Sequence, residues 1–66
     1  MQTYEALLSR PENIEQVRQA QASIERLGGT VEIAPPTPAG VVLVTLQLPP
    51  GYSPEQVLPG LPFYPA

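Results

Sequence analysis

Six glutamates, Glu5, Glu12, Glu15, Glu25, Glu32 and Glu55, are the only carboxylate side chains in this sequence and the only candidates for acid–base work. Glu12 and Glu15 stand at a spacing of three, which sets both on one helical face and would start a metal site. Such a site normally needs about four ligands or more, and nothing near the pair supplies the others. The pair suits instead a solvated first helical turn, where negative charge meets the positive end of the helix dipole. Glu25 and Arg26 read as a solvated helix end, and Glu32 as the wet side of a strand.

Ser9, Ser23 and Ser53 are the serine hydroxyls that could act as nucleophiles. The sequence contains no histidine and no lysine to activate them, and Ser9 and Ser53 stand where helix caps are expected. Gly28-Gly29 closes a helical segment and is followed by no basic residue, so it is not a phosphate loop. With no cysteine, disulfides and zinc–thiolate sites are excluded. These residue types imply no catalytic site in the monomer, no resident metal and no cofactor.

Partners are bounded by charge. Six acids against Arg10, Arg18 and Arg26 give a net charge of −3, and three cations cannot supply the phosphate contacts that nucleic-acid binding rests on. The longest aliphatic run, Val41 to Val44, is far short of a membrane span. Met1-Gln2-Thr3-Tyr4-Glu5 lacks the basic and apolar segments of a signal peptide, so a cytoplasmic location is expected.

The chain has 66 residues, enough for a single domain with a thin core. Tyr4, Ala6 and Leu8 alternate with Thr3, Glu5 and Leu7, which predicts a first strand. Ile14, Val17, Ala20, Ile24 and Leu27 recur at helical spacing, which predicts a helix over 12–27 ended by Gly28-Gly29. Ser9 and Glu12 have capping-box spacing, but Pro11 disfavours a helical Arg10 and moves the start later. Val31 and Ile33 face inward in a short strand that suits a sheet edge. Pro35 to Gly40 is a stiff connection, and Val41 to Leu48 is a strand apolar on both faces at its start, hence central or covered. Ser53-Pro54-Glu55 opens a short second helix that stops before Pro59-Gly60.

This order predicts an α+β fold, a small ferredoxin-like split β-α-β sheet of the form β-α-β-β followed by the short helix. Residues 1–66 make the domain, and 59–66 form a proline-rich C-terminal tail that either adds a last edge strand or stays extended. Both helices lie on one side of the sheet, leaving the other face open to solvent or a partner.

The features that point to function concern surfaces. Tyr52, Phe63 and Tyr64 are three of the four aromatic residues and fall in the last fifteen positions. An aromatic held in a proline-stiffened segment loses little entropy on binding. Phe63, Tyr64, Pro65 and Ala66, with Tyr52 and with Leu43 on the sheet, are therefore the candidate partner-binding residues; the competing reading folds Phe63 and Tyr64 back to complete the core.

The strand and amphipathic helix ending in Leu27-Gly28-Gly29, then Thr30-Val31-Glu32, then Gly40 opening Val41-Val42-Leu43-Val44-Thr45-Leu46, resemble the inhibitor I9 family of subtilisin-type propeptides and their free-standing relatives. The resemblance runs over nearly the whole chain and lies in element order and glycine placement. It implies a sheet face packed on a protease and a C-terminal tail, Phe63 to Ala66, entering the substrate cleft. The chain departs from the family in lacking last-strand acids and in carrying Pro62 and Pro65.

The expected function is a non-catalytic module or accessory subunit that binds another protein through its open sheet face or its tail. The alternatives are a subtilisin-type protease inhibitor, and an oligomer whose small-ligand or catalytic site forms between subunits. Homo-oligomerisation stays open.

Overall fold

A computed structural model describes residues 1–66. Alternation along the first residues gives strand β1, Gln2–Leu8, with Tyr4, Ala6 and Leu8 buried. Helix α1, Pro11–Arg26, begins with proline at its first position, where the missing N–H is no loss. Arg10 is the N-cap, held extended (φ −97, ψ 128) by the following proline, and no side chain caps the helix. The Ser9 capping box suggested by spacing therefore does not form. The Arg10 carbonyl instead accepts from the N–H groups of Asn13 and Ile14 at 3.1 and 3.2 Å. Val17 and Ile24 are the buried residues of α1, with Ile14 and Ala20 packed partly beside them. Leu27, expected on the apolar stripe, is instead the C-cap and is exposed.

The helix ends in a Schellman arrangement. Gly28 N–H bonds Glu25 O and Gly29 N–H bonds Ile24 O, both at 3.0 Å, with Gly28 at φ +90. Strand β2, Thr30–Ile33, follows at once. The connection after it is closed by Thr37, whose N–H donates to Val41 O at 2.8 Å and whose Oγ1 accepts from Val41 N–H at 3.1 Å. Strand β3, Val42–Leu48, leads through a Pro-Pro-Gly turn to the single-turn helix α2, Pro54–Val57. Gln56 Oε1 accepts from the Ser53 N–H at 2.8 Å at the start of that turn. The chain ends in β4, Tyr64–Pro65.

The sheet order is β2-β3-β1-β4 and every neighbouring pair is antiparallel. Since β1 and β2 both run against β3, they run parallel to one another, with β3 inserted between them. That is the split β-α-β arrangement expected, completed by β4 on the far edge. It also explains the doubly apolar start of β3, which is a central strand, and the half-wet pattern of β2, which is an edge.

One face of the sheet carries the core. Tyr4, Ala6, Leu8, Val31, Val42, Val44, Leu46 and Leu48 meet Val17 and Ile24 of α1 and Leu58 and Leu61 beyond α2. Gln16 of α1 donates to Pro59 O at 3.3 Å, tying the segment after α2 beside the long helix. No polar or charged side chain is buried and none is left unsatisfied, so no side chain sets a polar desolvation cost against the apolar gain.

Candidate functional site

The opposite face of the sheet has nothing over it. Register fixes which residues share it: Leu7 lies opposite Leu43, Glu5 opposite Thr45, and Thr3 opposite Gln47. On the other side of β3, Glu32 lies opposite Thr45 and Thr30 opposite Gln47. Ala34 joins the Leu43 row through its N–H on Leu43 O at 2.9 Å. From β4, Tyr64 lies opposite Glu5.

Three rows result, graded along the strands. The first, Ala34–Leu43–Leu7, is apolar, and Leu7 is 58% exposed. The second, Glu32–Thr45–Glu5–Tyr64, sets two carboxylates on either side of a threonine. Directly opposed Cβ atoms are about 5 Å apart, so two such steps separate the glutamates by about 10 Å at the backbone. The third, Thr30–Gln47–Thr3, is polar, with Thr30 Oγ1 bonded to Gln47 Oε1 at 3.1 Å. Neither Glu5 nor Glu32 takes part in any of the side-chain hydrogen bonds of the fold. All three arginines belong to α1 or its N-cap, which packs against the other side of the sheet. The open face thus carries two acids and no base.

A hollow of about 340 Å³ lies at the β2 end of this face, lined by Glu32, Ile33, Ala34, Leu43 and Thr45. A second, of about 440 Å³, lies between the two chain ends and is lined by Met1, Gln2, Thr3, Tyr4, Pro65 and Ala66. Its one side chain of chemical interest, the Tyr4 hydroxyl, is already held by Gln2 Oε1. The remaining carboxylates are dispersed: Glu55 accepts from Gly60 N–H at 3.3 Å, and no three acids converge on one point.

The structure divides the residues singled out from sequence. Leu43 and Tyr64 share the open face, and Tyr64 is 46% exposed. Phe63 turns to the other side and packs against the core, so the folded-back alternative holds for Phe63 and not for Tyr64. Pro65 lies opposite Tyr4, and the Ala66 N–H donates to Thr3 O at 2.9 Å. Residues 63–66 therefore do not form one continuous docking strip, because successive residues of a strand point to opposite faces. Tyr52, although exposed, follows the end of β3 remote from Leu43. In the sequence Glu5 is legible only as one of six scattered acids, and Leu7 and Thr45 only as members of their strands. Leu7 and Leu43 become neighbours only through the β1–β3 register, which no local pattern contains.

Comparison with protein-family models, with curated proteins and with solved structures finds no match.

Proposed function

We propose that this domain is a non-catalytic module that binds a protein partner on the open face of its sheet. The observation that supports this reading is the sidedness of the sheet. Both helices and every buried side chain lie on one face, while the other presents Leu7, Leu43, Ala34 and Tyr64 around two glutamates. An exposed apolar row bordered on one side by charged and polar rows has the mixed composition of a protein interface. The scarcity of reactive groups argues in the same direction, since the chain has no histidine, cysteine or lysine.

The face is favoured over the tail by what holds the tail. Tyr64–Pro65 pair with β1, and Leu61 is buried. Use of residues 63–66 as a cleft-filling peptide, as the inhibitor resemblance implies, would require stripping them from β1 and Phe63 from the core. A subtilisin-type protease is therefore expected to keep its activity at stoichiometric protein. Inhibition that disappears when Phe63 to Ala66 are removed would restore the inhibitor reading.

The direct test is substitution within the apolar row. Leu7→Ser and Leu43→Arg should reduce retention of a bound partner about tenfold or more, the range of a central interface anchor. The urea midpoint should move little for Leu7→Ser, whose side chain is largely exposed, and somewhat more for Leu43→Arg, whose side chain is half-buried. Retention of the same partner undiminished by both substitutions would place binding elsewhere.

A further inference from the structure

The sheet has two edges, and they are treated differently. On the β1 side, β4 and the Ala66 N–H cover the outward backbone groups of Thr3 and Glu5. On the other side nothing pairs with β2. The Ala34 N–H bond to Leu43 O fixes the phase of the ladder: even-numbered residues of β2 bond inward to β3, and the N–H and C=O groups of Val31 and Ile33 point outward. The residue between them, Glu32, directs its side chain to the open face. Pro35 follows and has no N–H to offer, so the usable edge is short.

We propose that this edge accepts an extended cationic segment of another protein as a fifth strand, with a lysine or arginine directly across from Glu32. The proposal rests on the sheet-face reading and names the partner's chemistry. An added strand bonded to Val31 and Ile33 places its middle residue opposite Glu32, within about 5 Å, on the face where Glu5 and Glu32 stand without a base. Its two flanking residues turn to the other side, beside Val31 and Ile33, and are apolar. The hollow lined by Glu32, Ile33, Ala34, Leu43 and Thr45 gives the long basic side chain room to lie over Leu43. The segment recognised reads apolar–basic–apolar, the pattern of strand addition in which backbone bonds give affinity and alternate side chains give selectivity.

A second copy of this chain is the obvious rival occupant, and charge disfavours it. The antiparallel register that bonds Val31 to Ile33 of the other copy and Ile33 to its Val31 sets Glu32 opposite Glu32. Like charges directly opposed destabilise a strand pair, so the same residue that selects a cation discourages self-pairing.

The probe is a capped synthetic peptide of about six alternating valines and lysines, the length of an average strand. It is added to the isotopically labelled full chain at low salt and compared with a peptide bearing glutamate in place of lysine. Slower amide hydrogen exchange at Val31 and Ile33 is expected with the lysine peptide alone, and Glu32→Lys should weaken binding about five- to tenfold. Equal binding of the glutamate peptide, or no weakening by Glu32→Lys, overturns the proposal. So does slowed exchange that grows with protein concentration in the absence of peptide, which would identify a second copy as the occupant. Signals that move only at Leu7, Leu43 and Thr45 overturn the fifth strand while leaving the sheet-face reading intact. No response anywhere overturns it too, and the sheet-face reading is then judged on Leu7→Ser and Leu43→Arg.

Discussion

Replacing Gly29 by alanine is expected to lower stability by about 2–3 kcal/mol, the cost of forcing extra volume into a packed site. A Cβ at Gly29 would stand 2.6 Å from the Gln47 carbonyl oxygen and 2.9 Å from Ile24 Cγ2. The first of these is backbone in the central strand and cannot rotate aside. Relief would require α1 and β3 to separate, and the side chains between them form the core. With a slope near 1 kcal/mol per molar, the urea midpoint should fall by about 2–3 M. A domain of this size has roughly 3–10 kcal/mol in all, so much of the folded population is at stake. Gly28→Ala is the matched control. Gly28 has φ +90 but no clash, a Cβ there making only ordinary van der Waals contact with Pro49 Cγ at 3.8 Å, and its loss should cost only about 1 kcal/mol. If the two substitutions cost the same, the close approach of the helix end to β3 is absent in solution.

That pair of glycines also marks how far local pattern reaches. Gly28-Gly29 is legible from sequence as a helix stop, because a left-handed cap is a local need. The reason the second residue must also be glycine is the passage of Gln47 O overhead, and Gln47 is eighteen positions further along the chain. The same division runs through the rest of the molecule. The alternation in Tyr4-Ala6-Leu8 and the helical spacing of Val17 and Ile24 announce their elements, since periodicity reports which face is dry. Even the place of β3 between β1 and β2 follows, because a strand with apolar residues on both faces is expected inside a sheet rather than at its edge. Element ends were less legible. Ser9 and Glu12 have the spacing of a cap, but the steric effect of Pro11 on Arg10 prevails and a backbone carbonyl serves instead. The candidate site was legible only in part. Leu43 could be named because β3 has two apolar faces, whereas Leu7 reads as an unremarkable leucine on a wet stripe until the register sets it beside Leu43. In the tail, pairing with β1 imposes a period of two on residues that composition alone groups together.

Leu46→Ala is the substitution expected to do most damage, at about 2–5 kcal/mol. Leu46 is fully buried at the middle of the central strand, with Tyr4 of β1 opposite on one side and Val31 of β2 opposite on the other. Truncating it removes transfer energy and leaves a void bounded by both neighbouring strands. Those strands are hydrogen-bonded into the ladder, so the walls cannot collapse to fill the space. Against roughly 3–10 kcal/mol in total, a variant near the upper end of that cost is largely unfolded, with narrow amide dispersion and little cooperativity in urea. Leu7→Ala, on β1 next to Ala6, which faces Val44, removes the same atoms from a side chain 58% exposed, and should change stability by no more than about 0.5 kcal/mol. The contrast tests both faces at once. A Leu46→Ala variant that unfolds at nearly the wild-type midpoint would mean that the sheet does not pack against α1 as described. A Leu7→Ala variant as damaged as Leu46→Ala would mean that the open face is already covered in the free protein, leaving no surface for a partner to occupy.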